Sequence, residues 1–327
     1  MMHVFAARAT AICWILWISA SPAFAWGLRG HEIIGQAAIA HLPASLPAWV
    51  RSNAAKSEIV YLQSEEDRLK VGRDEEAAWY REWSTDHYID VGDDGRIAGT
   101  FSLDALPATR DDYLEALYRS EPPVDGYTIG FLPYAILEGY EQVRTDFALE
   151  RFAEDALSGA TGDARSAAQT ELDRRRELTI HDIGVFGHFV GDGSQPLHIS
   201  VHYNGWGDFP NPNGYTNANT THASYEDDFV LKFLTPALVT PLVGTTPVFG
   251  AVPLSNIEQY LGATLHEVVP FYQLQKRGAF DLDGASPAHD EGVRFTAARL
   301  AAAAQMLDSL VLTAYQTSGT IKPYRGQ

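Results

Sequence analysis

Residues 188–198, HFVGDGSQPLH, concentrate more reactive side chains than any other stretch of the chain. His188 and Asp192 are four apart, and on a helix that spacing stacks a ring nitrogen and a carboxylate over one spot. Gly193 and Pro196 then break the helix, so His198 comes from the turn beyond it. His222 and Glu226, in THASYEDDFV, repeat the four-residue spacing. Two His-x3-carboxylate pairs and a turn histidine form a nitrogen and oxygen donor set that suits zinc. The reaction class this points to is metal-assisted hydrolysis.

Any single histidine is more often structural than a ligand, so the weight lies in number and grouping. Upstream, His31 follows Trp26 by five residues, and His87 lies in DHYIDV between Asp86 and Asp90. Asp67 lies in SEEDRLK with Arg68 and Lys70 beside it; Glu65, Glu66 and Asp74 are alternative acids. Either cation has the charge to contact a phosphate oxygen, and either equally reads as a solvated helix charge. His181, seven before His188, reads as a packing or hydrogen-bonding residue. His41, His202, His266 and His289 have no partner spacing and read as surface or structural.

The elements that must position these residues are helical. Residues 29–42 place Ile33, Ala37, Ala40 and Leu42 near one face, and Pro107 and Thr109 are start signals for a helix over 107–120. Residues 132–158 and 164–192 are strong helix formers. Val293, Ala297, Leu300, Ala304, Leu307 and Val311 step by threes and fours along a last long helix. Strand-type alternation is scarce. Residues 202–221, crowded with Asn, Gly and Pro, read as a surface loop between two ligand-bearing elements, and residues 235–255, broken by four prolines, as a connection. The expected fold is all-α, one multi-helix domain over residues 26–327.

Residues 1–25 read as an export signal. Arg8 supplies a short positive region, residues 11–20 (AICWILWISA) an apolar core, and Ala23-Phe24-Ala25 a small-x-small cleavage site. The apolar run is too short for a stable bilayer span, which needs about 20 residues. The expectation is a soluble secreted or periplasmic chain starting at Trp26, with no transmembrane segment after cleavage. The only cysteine, Cys13, lies in the signal, so disulfides play no part in the rest. The net charge of −18 becomes one unit more negative when Arg8 leaves. Such a surface repels nucleic acid and anionic lipid at long range, which argues against a non-specific DNA-binding protein and only mildly against a nuclease.

The motifs together resemble the zinc-dependent phospholipase C / S1–P1 nuclease superfamily. The resemblance rests on Ala-Phe-Ala before Trp26, His31, Asp67, His87 in HYID, the HFVGDxxQPLH run and His222-x3-Glu226, and spans residues 26–226. It implies an all-α fold enclosing three zinc ions, and a Trp26 that binds metal through its free amine and carbonyl, so that export precedes activity. Asp67, His87, His188 and Asp192 would hold one ion, and Trp26, His31 and the second oxygen of Asp192 another. His198, His222 and Glu226 would hold the third. In such a centre a water activated between the bridged pair attacks phosphorus in line, Asp67 accepts a hydrogen bond from it, and the third ion neutralises charge on the departing oxygen. Asp67 and Asp192 are thus the expected catalytic carboxylates, with Tyr88, Asp90 and Lys70 as candidate substrate contacts.

Three functions fit these residues. One is a phospholipase C type hydrolase releasing a phosphorylated head group. Another is a single-strand-specific endonuclease producing 5′-nucleotides, with Tyr88 stacking on a base and Asp90 bonding its edge. The last is a non-catalytic zinc-binding protein. Glu226, where single-strand nucleases more often show Asp, and the acidic balance favour the first; no ligand position is replaced by a residue unable to bind metal, which disfavours the last. No protein partner is implied.

Overall fold

The computed structural model of the chain describes residues 26–69, 83–250 and 253–323. Residues 1–25, where an export signal is expected, and the candidates Lys70 and Asp74 lie outside the described residues. Among those described, helix dominates, and the strands are two residues each: β1 (Arg96–Ile97) pairs antiparallel with β2 (Phe101–Ser102).

The first helix, α1 (Gly27–His41), buries Ile33, Ile34, Ala37 and Ala38. Ala40, expected on that face, is exposed, because the stripe runs through neighbouring pairs one turn apart. Next come α2 (Asn53–Leu62), whose Ser52 side chain accepts a hydrogen bond from the Ala55 amide, and the single turn α3 (Glu65–Arg68). The helix expected over 107–120 is the shorter α4 (Arg110–Tyr118). Thr109 caps it by accepting from the Asp112 amide, which places the start after Pro107 rather than at it.

Two long antiparallel helices, α5 (Leu132–Gly159) and α6 (Gly162–Asp192), pack along their length and form the spine. Residues 235–255 are more ordered than expected. Pro236 opens a helical turn (Pro236–Val239), a 3-10 turn follows (Thr240–Leu242), and α7 (Leu254–Leu265) begins inside the segment. Proline suits each of those first turns because the N–H it lacks would have no partner there. The chain then forms α8 (Val268–Lys276) and α9 (His289–Ser318).

By length and composition α9 could cross a membrane. Instead Ala297, Leu300, Ala304, Leu307 and Val311 are buried and the helix packs on α1, α5 and α6. Those residues share one continuous core with Tyr140 and Phe147 of α5 and Phe186 and Val190 of α6. Fully burying each leucine, valine or phenylalanine among them contributes about 1.5–3 kcal/mol. The consequence for the site is rigidity: α6 delivers its carboxyl-terminal turn, with His188 and Asp192, into the middle of the packed structure.

Candidate metal centre

The end of α6 meets α1, α2 and α3. Gly187 lets the chain after α2 approach closely, since a Cβ there would strike the Gln63 amide. Gly191 does the same for α1, since a Cβ would sit 2.9 Å from His31 Nδ1. The glycines of the HFVGDG run thus make room for the residues that surround its His and Asp.

Among the described residues three buried groups of histidine and carboxylate result: His31, His188 and Asp192; Asp67, His87 and His188; His198, His222 and Glu226. In the first two, which share His188, Asp192 turns Oδ1 toward His31 Nε2 at 3.3 Å and Oδ2 toward His188 Nε2 at 3.5 Å. Asp67 faces the same two rings, Oδ2 at 3.9 Å from His31 Nε2 and Oδ1 at 3.9 Å from His188 Nε2. The His31 and His188 rings stack with centroids 4.0 Å apart, and His87 meets His188 edge-on. Donors about 2.0–2.1 Å from a shared tetrahedral ion lie about 3.3–3.4 Å from one another, so Asp192 stands where a bridging carboxylate would.

The hydrogen bonds behind the rings say which nitrogen faces inward. His188 Nδ1 donates to the Gln63 carbonyl at 2.8 Å and His87 Nδ1 to the Ser84 carbonyl at 3.2 Å. His198 Nδ1 donates to the His87 carbonyl at 2.6 Å and His222 Nδ1 to the Tyr203 carbonyl at 2.9 Å. A carbonyl only accepts, so each Nδ1 carries a proton and Nε2 is the nitrogen turned toward its group, open to a proton or a metal ion. Backbone carbonyls behind ligating histidines are the usual second layer of a metal site.

In the third group His198 Nε2 and His222 Nε2 are 3.0 Å apart, with Glu226 Oε2 at 3.7 and 2.7 Å. Gln195 Nε2 donates to Glu226 Oε2, while the buried Oε1 has no hydrogen-bond partner. Two lone pairs and a carboxylate repel at this range unless protons or a cation come between them. The electrostatics agree. Burial alone would raise the Glu226 carboxyl, but the charges and hydrogen bonds of His222 and His198 outweigh it and bring it down to about 2. The donor sets therefore fit a divalent cation with mixed nitrogen and oxygen ligands.

His222 and Glu226 reach each other by an unexpected route. Thr221–Ala223 is α-helical, but Ser224–Phe229 winds as a π-helix, a form that recurs at functional sites. The two halves of the centre are also tied through the backbone. Ile89 N donates to the His198 carbonyl at 2.8 Å, while His198 Nδ1 holds the His87 carbonyl, and Val201 N donates to the Val91 carbonyl. This strip leads past Tyr88 and Asp90, both half-buried. Burial pushes the Asp90 carboxyl up to about 7.

Of the acids near residue 67, the structure brings Asp67 to the histidines. Glu65 pairs with Arg68, and Glu66 accepts from the Trp83 indole. Arg68 is itself committed, stacking on Tyr61 and donating to its carbonyl. Trp26 is fully buried, and its indole Nε1 donates to the Gly191 carbonyl and Ser194 Oγ, both at 2.9 Å, on the turn that carries Asp192. The Trp26 carbonyl accepts from the Gly30 amide, opening α1. His181 is half-exposed and bonds Asp182, and His202 is structural, stacking on Trp206 and bridging its carbonyl to Asp93. Gln63 and Gln195, which hold His188 and Glu226, were not singled out by the sequence. Gln195 had a local signal, its place inside the HFVGDGSQPLH run; Gln63 had none. No family model and no curated protein matches the chain.

Proposed function

We propose that the chain is a zinc-dependent phosphodiester hydrolase of the phospholipase C / S1–P1 nuclease kind, acting on a phospholipid head group or a small phosphodiester. The observation that carries this reading is the convergence of nine-tenths-buried histidines and carboxylates in three groups, with four rings turned so that Nε2 faces inward. Asp67, His87, His188 and Asp192 would hold one zinc, Trp26, His31 and Asp192 a second, and His198, His222 and Glu226 the third. Bound zinc supplies Lewis acidity, lowering the pKa of water and offsetting charge on phosphate.

The chain's own residues do the rest. Asp192 spans His31 and His188 with its two oxygens, so a single carboxylate orients both halves of the pair. Asp67 faces the same rings and accepts a hydrogen bond from the attacking water. Tyr88 offers a ring and Asp90 a carboxyl with affinity for a proton near neutrality, which lets it donate to or accept from a substrate polar group. The low-dielectric surroundings of these buried groups strengthen each contact they make with a phosphate.

The single-strand nuclease reading remains the alternative, supported by the same Tyr88 and Asp90 as a stacking and edge-bonding pair. One experiment separates the two. Protein of verified metal content is assayed on phosphatidylcholine micelles and on a single-stranded oligonucleotide, with and without chelator. Chelator-sensitive phosphocholine release supports the first reading, and chelator-sensitive release of 5′-nucleotides the second. Activity on neither substrate, with zinc bound, refutes the phospholipid and the nucleic-acid substrates and leaves a narrower phosphoester or a non-catalytic zinc protein.

A further inference from the structure

The entrance to α1 is held from two sides. Trp26 has φ +46° and Gly27 φ +51°, two successive residues in the left-handed region. One side is the indole, fixed to Gly191 and Ser194. The other side comes from the π-helical segment. Tyr225 packs its ring on Trp26 with centroids 5.6 Å apart, Glu226 enters the third group, and Asp227 lays its carboxylate against Gly27. A Cβ on Gly27 would strike Asp227 Oδ1 and come within 3.3 Å of the Glu226 carbonyl. At that end α1 has no acidic residue in its first turn and no side-chain cap of its own.

We infer that Asp227 is a positioning residue: its carboxylate anchors the amino end of α1, and with it Trp26 and His31, to the element that carries Glu226. The physics is that of a negative charge at the positive end of a helix dipole, brought by a neighbouring element because α1 supplies none. The geometry adds a steric key. Only glycine at 27 combines the left-handed backbone with room for the carboxylate. Three consecutive residues, Tyr225, Glu226 and Asp227, thus pack on Trp26, join a donor group and hold Gly27. The anchor sets the distance between the His198–His222–Glu226 group and the His31 side of the centre. In its effect on metal it rests on the proposed metal centre; as a contact it does not.

The test uses protein expressed from the full sequence, in wild-type and Asp227→Asn forms, the latter keeping size and losing charge. Hydrogen exchange on metal-stripped protein is expected to quicken about tenfold at the amides of residues 30–34, with α9 unchanged. Metal-loaded Asp227→Asn is expected to yield an ion to a competing chelator about 10-fold more readily than wild type, in line with other outer-layer partners. Unchanged exchange at residues 30–34, or an equal acceleration in α9, overturns the anchor. Gly27→Ala gives a second check: its destabilisation should be smaller in an Asp227→Ala background, where the collision with the carboxylate is gone and only backbone strain and the tight approach to the Glu226 carbonyl remain. Equal destabilisation in both backgrounds also overturns it. If wild type binds no metal, the proposed function fails, while the exchange and double-mutant results still decide the role of Asp227.

Discussion

Gly191→Ala tests the centre with one carbon atom. The new Cβ would lie 2.9 Å from His31 Nδ1 and 3.0 Å from Cε1, with Ile34 Cδ1 at 3.2 Å behind. Ordinary contacts between such atoms begin at about 3.5 Å, so the ring must yield about 0.5 Å. A zinc ligand tolerates about 0.2 Å. The displacement therefore exceeds what the bond allows, and the expected result is a roughly 10- to 100-fold loss of affinity on the His31 side, or about 1.4–2.7 kcal/mol. The fold should suffer less. Overpacking costs about 1–3 kcal/mol, while alanine in place of glycine within a helix returns about 1 kcal/mol. The assay is zinc content per chain after gel filtration, combined with competition against a chromogenic chelator. None of the atoms Gly191 would press on belongs to His198, His222 or Glu226, so that group should keep its ion. Gly262→Ala on α7, with no atom within 4 Å of its new Cβ, is the control and should bind as wild type. A full zinc complement in Gly191→Ala, with unchanged competition, would refute His31 as a ligand.

Chelation of the wild-type protein should lower its melting temperature, since each site held at 100 times its Kd stabilises by about 2.7 kcal/mol; an unchanged melt counts against the donor groups. Burial and then the neighbouring Asp182 push the Asp146 carboxyl up to about 7, so its stabilising effect is present at low pH and is lost as pH rises from the unfolded value near 3.8 through about 7. Asp146→Asn should remove that loss and stabilise at pH 8 by about 1–2 kcal/mol, well below the full shift because solvent screens the pair; equal urea midpoints for the two proteins at pH 8 would contradict it. Asp308, fully buried on α9 with neither oxygen hydrogen-bonded, is held well above the usual carboxylate range by desolvation, so Asp308→Asn should raise the melting temperature more at pH 8 than at pH 5. With Asp90 at about 7, substrate KM should change across neutral pH in the wild type and change less in Asp90→Asn; parallel profiles would remove Asp90 from the candidate substrate contacts.

The sequence by itself determined the helices that carry strong periodicity and the local half of the site. His188 and Asp192 share a helix face because four residues make about one turn, and α6 ends at Asp192 where Gly193 and the following proline stop it. The buried step pattern of α9 was equally legible, since it repeats over many turns. The short helices α2, α7 and α8 left weaker signals. So did the π-helical winding at Glu226, where spacing alone suggests an ordinary turn. Only the tertiary structure decided which acid near residue 67 joins His188, because Glu65, Glu66 and Asp67 are chemically alike and differ only in direction around one turn. It alone showed that Asp192 divides its oxygens between His31 and His188, that Gln63 orients His188 from 125 residues away, and that Asp227 meets Gly27. Spacing along a helix is a local property of the backbone. Convergence of α1, α3, α6 and the 221–229 segment is set by how their apolar faces pack, and no stretch of the chain encodes it alone.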